Sequence, residues 1–163
     1  MSTCTAHANG PSTIETYSDV AVQHFMSPRN TARIEGVNGK GCTSSESLDN
    51  FSQISIRVGP SDRIDAVRSR TVGCAAAVAC GSRFSEMVKG LSLSEATKIT
   101  PENIVQSLGG LPASGTCYAR LPVVALQAAI EDYHDRARLA HGRKQRNTFV
   151  YRRPSGPVQA QAC

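Results

Sequence analysis

The chain has 163 residues, 40% of them hydrophobic and 19% charged, a balance that supports one buried core and excludes a wholly disordered or collagen-like polymer. Aromatics make up 5% and Trp is absent, so the core must be built from Ala, Val, Ile and Leu, and no apolar run approaches the ~20 residues needed to cross a bilayer. The net charge of +5 is uneven: residues 136–163 hold seven basic residues and no acidic one, whereas residues 1–135 hold eleven basic and thirteen acidic.

Three segments follow from this distribution. Residues 1–16 are polar, contain no Lys or Arg, and lack both the charged start and the apolar stretch of a secretory signal, so the expected location is cytoplasmic. Residues 17–135 are expected to form the folded domain. Residues 136–163 read as a basic, solvated tail. Phe149 and Tyr151 beside Arg152 and Arg153 give that tail a weak nucleic-acid reading, which the looseness of chain ends outweighs.

Within the domain, Glu15 to Met26 is predicted as an amphipathic helix packing through Val20, Val22 and Phe25 and stopped by Ser27-Pro28. Asn30 to Asn50, rich in Gly, Ser, Thr and Asn, reads as a long flexible loop with room for a short edge strand. Phe51 to Val58 alternates, with Ile54, Ile56 and Val58 on one face, and returns after Gly59-Pro60-Ser61-Asp62 as a second strand, Arg63 to Val72.

Helices dominate the remainder. Gly73 breaks the second strand, and Cys74 to Lys89 is predicted helical, ending at Gly90. Ser92 to Glu95 fits a capping box, and Thr100-Pro101 an N-cap with Pro at the first helical position. Leu121 to Tyr133 carries apolar residues at helical spacing. The expected class is α+β, a small antiparallel sheet of about three strands covered by helices.

Six cysteines (Cys4, Cys42, Cys74, Cys80, Cys117 and Cys163) contain no C-x-x-C pair, which sets zinc-finger readings aside. Cys74 follows a strand directly at a helix start, where open backbone N–H groups and the helix dipole suit a reactive or metal-binding thiolate; a small residue filling a tight junction explains it equally well. Cys117 likewise sits in a loop just ahead of a helix. Cys80 reads as a core residue, and Cys42 falls in the flexible loop. His24 reads as a surface or partly packed residue. No phosphate-cradling loop, Ser/His/Asp grouping or carboxylate pair stands out, so a conventional enzyme is not expected.

Several stretches together resemble the U-type iron–sulfur cluster assembly scaffold family, the IscU and NifU N-terminal domain type. They are Tyr17-Ser18-Asp19 through His24-Phe25 and Pro28-Arg29-Asn30, Thr71-Val72-Gly73-Cys74-Ala75-Ala76, Glu86-Met87-Val88-Lys89-Gly90-Leu91, Leu108-Gly109-Gly110-Leu111-Pro112 ahead of Cys117, and Ala125 to Tyr133. The resemblance implies a scaffold that receives sulfur from a cysteine desulfurase, builds a 2Fe–2S cluster and passes it to recipient apo-proteins. In the family's pattern Cys74 and Cys117 match two of three ligand cysteines.

The other ligand positions differ. The family's Cys-Gly-Asp falls on Leu48-Asp49-Asn50, and its His on Thr116. Pro112-Ala113-Ser114-Gly115 departs from the Pro-Pro-Val-Lys type of chaperone-recognition segment, so chaperone handling does not carry over. A cluster wants four ligands, mostly thiolates. Three completions stay open: Cys42 swinging in from the loop, Asp49 ligating in a shifted register, or a homodimer in which each chain gives Cys74 and Cys117. The expected cargo is iron or a 2Fe–2S cluster, with zinc as the alternative metal. The alternative function is an adaptor that docks the desulfurase without assembling a cluster.

Overall fold

The computed structural model describes residues 17–45 and 49–142. Three strands, β1 (Gly39–Ser44), β2 (Phe51–Val58) and β3 (Ile64–Val72), form one antiparallel sheet in the order β1-β2-β3. The helices are α1 (Asp19–Met26), α2 (Ala75–Val88), α3 (Leu93–Ala96), α4 (Pro101–Ser107) and α5 (Arg120–Gly142), with a 3₁₀ helix, Ala113–Ala119, running directly into α5. The α+β class and the three-stranded sheet match the sequence reading.

The alternation of β2 does what its pattern requires. Ile54, Ile56 and Val58 are buried, together with Ile64 and Val67 of β3. Over them lie Ala79, Cys80, Phe84 and Val88 of α2 and Ala125, Leu126, Ala129 and Ile130 of α5, with Ile104 and Leu108 joining the same core. Phe84 is the largest side chain fully buried there, and its truncation to Ala would cost about 3–5 kcal/mol.

β1 is the short edge strand that the reading of Asn30 to Asn50 left room for, and it orders six residues of that loop. Gly39 and Gly41 face α5 so closely that a Cβ on Gly41 would lie 2.2 Å from the Ala125 carbonyl oxygen, and one on Gly39 2.4 Å from that of Ala129. The glycines that weaken the strand signal are therefore the residues that let the helix rest on the strand backbone. Asn38 fixes the entry to β1, its side chain exchanging two 2.8 Å hydrogen bonds with the backbone of Val58. The remaining linker, residues 30–38, crosses the other face of the sheet. Its carbonyls accept from Ser69 N–H (Asn30), Arg68 Nε (Thr31) and the Arg57 guanidinium (Glu35).

α1 also differs from expectation. Ser18, whose side chain accepts from Ala21 N–H, caps it, and the same hydroxyl donates to the Leu108 carbonyl. Ala21 and His24 are buried, whereas Val20, Val22, Phe25 and Met26 are exposed. The inward face is selected by small size and by polar partners on α2, which local periodicity does not report.

The later signals behave as read. Ser92 and Glu95 form a full capping box, Thr100 and Asn103 form another with Pro101 inside it, and Gly90 adopts φ +84° after α2. α5 runs on past Tyr133 to Gly142, supported by an Arg136–Asp132 ion pair at 2.9 Å. Residues 136–142 of the expected tail are thus helical. Residues 1–16 and 143–163, with Cys4, Cys163 and the aromatic-basic stretch, lie outside the described residues, as does Leu48.

Candidate functional site

β3 ends at Val72, Gly73 turns the chain at φ +145°, and Cys74 becomes the N-cap of α2. Cys74 is exposed, and no side chain caps the helix. The open N–H groups of the first turn carry a partial positive charge. No acidic residue occupies that turn, so this end of α2 suits anionic sulfur.

Asn50 completes the turn. It is 4% exposed, and its Oδ1 accepts from the Cys74 backbone N–H at 2.8 Å. A Cβ on Gly73 would lie 2.1 Å from that oxygen, so only glycine permits the approach. Asn50 is itself fixed by two bonds to Ser45: Ser45 N–H donates to its carbonyl at 2.8 Å, and its own N–H donates to Ser45 Oγ at 3.1 Å. Asn50 therefore lies against the Cys74 backbone as a neutral amide committed to that N–H. Asp49, its neighbour, is exposed.

Cys117 belongs to a segment that packs against the first turn of α2. It lies in the 3₁₀ helix Ala113–Ala119 and not in a loop. That segment packs on α2 so closely that a Cβ on Gly115 would lie 2.8 Å from the Ala76 side chain. Cys117 is half-buried, its Sγ donating to the Ser114 carbonyl at 3.7 Å. Thr116 turns its hydroxyl back to the Ala113 carbonyl at 3.1 Å, satisfying itself within its own turn.

Two other cysteines are elsewhere. Cys80 is fully buried, and its thiol is pushed up to about 12 by burial and then by the charge of Cys74, in keeping with a core residue. Cys42 is corrected from loop to strand: it is paired opposite Gln53 in β1 and 3% exposed, and burial pushes its thiol up. It lies three positions from Ser45, about 10 Å along a strand, and is held in the β1–β2 ladder. No group of three or more His, Cys, Asp or Glu able to hold a metal occurs among the described residues.

His24 is buried rather than at the surface. Its Nδ1 lies 2.8 Å from Ser82 Oγ and its Nε2 3.5 Å from Glu86. Burial holds its pKa below the usual imidazole value, Glu86 opposing and Arg83 and Arg29 assisting. Neither this cluster nor the Asn50–Cys74 bond left a local sequence signal, because each joins residues far apart in the chain.

The fold is a three-stranded antiparallel sheet with helices packed on it, and Cys74 is exposed at a helix entrance. The family model described as NifU-like N-terminal domain matches residues 16–140, and the chain belongs to that family. It is 39% identical over 117 residues to the iron–sulfur cluster assembly scaffold protein IscU 1 of Archaeoglobus fulgidus, covering 72% of this chain and 76% of the relative. It is 36% identical over 118 residues to the IscU scaffold protein of Aquifex aeolicus, covering 72% and 75%. The fold matches the crystal structure of a NifU-like protein (N-terminal) from Brucella abortus with a TM-score of 0.57, at 10% identity over 72% of this chain and 94% of the other.

Proposed function

We propose that this chain is an iron–sulfur cluster assembly scaffold that accepts sulfur from a cysteine desulfurase through Cys74 or Cys117 and carries iron or a 2Fe–2S cluster as its cargo. The observation that carries the reading is Cys74: an exposed thiol at the uncapped head of α2, its backbone held by Asn50. It stands in a domain that shares its family with proteins named as such scaffolds. No helix among the described residues is long and apolar enough to cross a membrane, and the proposed setting is the cytoplasm.

Sulfur acceptance requires one accessible thiolate. That thiolate attacks the outer sulfur of the desulfurase persulfide and forms a new S–S bond. The old S–S bond breaks, and its electron pair stays with the desulfurase cysteine, which takes up a proton. The persulfide moves with no net oxidation; its later reduction to sulfide needs an external electron donor. Holding a cluster requires more, because four ligands are wanted and each chain offers two candidate thiols, Cys74 and Cys117. We infer that two copies supply the four thiolates, with the exposed Asp49 on the rim of each, and that recipient apo-proteins take the cluster from this bridge. Cys42 is not part of the set, and zinc is the competing metal for the same thiols.

Mass spectrometry after incubation with a desulfurase and free cysteine tests the reading. The expected result is a gain of one sulfur atom on the peptide holding Cys74 or Cys117, abolished in the double variant Cys74→Ser/Cys117→Ser. A chain that binds the desulfurase and gains no sulfur overturns the scaffold reading and leaves the adaptor.

A further inference from the structure

A cavity of about 120 Å³ lies between the outer edge of β3, the start of the linker after α1, and α2, one helical turn from Cys74, whose carbonyl accepts from the N–H of the lining residue Val78 at 3.1 Å. Ser69, Thr71 and Ser82 line it together with Arg29, Arg70 and Thr31. Its lining contains no carboxylate. A single water needs only ~10–15 Å³ of such space, so the cavity admits something larger.

Its polar groups are unequally committed. Ser82 Oγ is occupied, accepting from Arg29 N–H at 2.8 Å and meeting His24 Nδ1 at 2.8 Å. Thr71 Oγ1 lies 3.5 Å from Ser52 Oγ. Ser69 is different. It is 3% exposed, its backbone N–H is given to the Asn30 carbonyl, and its hydroxyl is the one buried side-chain polar atom among the described residues with no hydrogen-bond partner. Such an orphan costs free energy and asks for an explanation. At the rim stand Arg29 and Arg70, both exposed and both without an ion-pair partner among the described residues.

We propose that this cavity is a binding site for a small tetrahedral oxyanion of the phosphate class, accepting from the Ser69 and Thr71 hydroxyls and balanced by Arg29 and Arg70. Hydroxyl donors with arginine and no carboxylate select an anion with several acceptor oxygens. A carboxylate lining would have selected a metal cation instead. Occupancy ties the linker after α1 to β3 and α2, three elements that meet at this cavity.

Titration of the full chain with inorganic phosphate at fixed ionic strength, followed by calorimetry and by thermal midpoint, tests the site. Phosphate stabilises folded proteins non-specifically by exclusion from their surface, so the variants carry the information. The wild type should show a saturable response. Arg29→Gln and Ser69→Ala should bind at least tenfold more weakly, while Arg138→Gln, on the far part of α5, binds as the wild type. Ser69→Ala should match the wild-type midpoint in chloride, since it removes an orphaned hydroxyl. Phosphate monoester binding equal to that of the free ion assigns the site to phosphorylated ligands; binding of the free ion alone assigns it to inorganic phosphate. A response that rises without saturation and is equal in all variants overturns the proposal, as does full affinity in a folded Ser69→Ala.

Discussion

Asn50 Oδ1 accepts the backbone N–H of Cys74 at 2.8 Å, across 24 positions of sequence. The bond joins the loop before β2 to the entrance of α2 and fixes the backbone that presents the thiol. Asn50→Ala leaves that N–H without its acceptor and should destabilise the fold by about 1–3 kcal/mol, read as a lower urea midpoint at unchanged slope. Asn50→Asp keeps an acceptor but places a carboxylate beside the thiol, and a like charge opposes thiolate formation. Alkylation of Cys74 by iodoacetamide near neutral pH should slow in Asn50→Asp. An unchanged rate would show that the thiol does not sense position 50.

Burial of His24 makes the fold sensitive to acid. Its folded-state pKa lies below the usual imidazole value, chiefly through burial. The folded state therefore binds fewer protons than the unfolded chain. The contribution is full above the unfolded value of about 6.5 and is lost as the pH falls below it toward the lowered folded value. Urea midpoints at pH 7.5 and 5.5 should fall toward the acid side, and the fall should shrink in His24→Gln. An equal fall in the variant would assign the titration to another group.

How far the sequence carries is visible in particular residues. The β2–β3 hairpin, the head of α2, the Ser92 capping box and the Thr100 N-cap were legible because their signals are local: alternation, Gly73, Ser92 with Glu95, Thr100 with Pro101. β1 was legible only as room for a short edge strand, because Gly39 and Gly41 lack side chains, and their purpose, contact with Ala125 and Ala129 of α5, depends on residues far along the chain. His24 was misplaced for the same reason. Its partner Ser82 is 58 positions away, while exposed Val20, Val22 and Phe25 supplied a stronger local pattern. At the site, Cys74 was legible from the strand–helix junction, but the role of Asn50 was not, since no local rule connects it to Gly73 and Cys74.

Asp132 is a second long-range tie. Its Oδ2 accepts from Lys40 N–H on β1 at 2.8 Å and pairs with Arg136 at 2.9 Å, with the side chain 10% exposed. Asp132→Ala should cost about 1–3 kcal/mol. Asp135, whose pairing with Arg138 at 3.6 Å is largely exposed, should tolerate Ala at under about 1 kcal/mol. Thermal midpoints of the two variants compare them directly, and equal losses would mean that Asp132 does not anchor β1.

Cys42 separates the rival ligand sets. Buried in β1 with its thiol pushed up by burial, it should contribute packing alone. Cys42→Ser should lower the thermal midpoint and leave sulfur acceptance at the wild-type level. Loss of sulfur acceptance in a folded Cys42→Ser would restore it to the site.

The most direct measurement is iron and acid-labile sulfide content, with the visible spectrum, after anaerobic reconstitution with iron, cysteine and a desulfurase. Wild type and Cys42→Ser should bind iron and sulfide in equal amounts as a coloured species running as a dimer, and Cys74→Ser and Cys117→Ser should each lose it. A colourless, metal-free wild type, or a chromophore that survives in both single variants, would contradict the assignment of Cys74 and Cys117 as the thiols that hold the cluster.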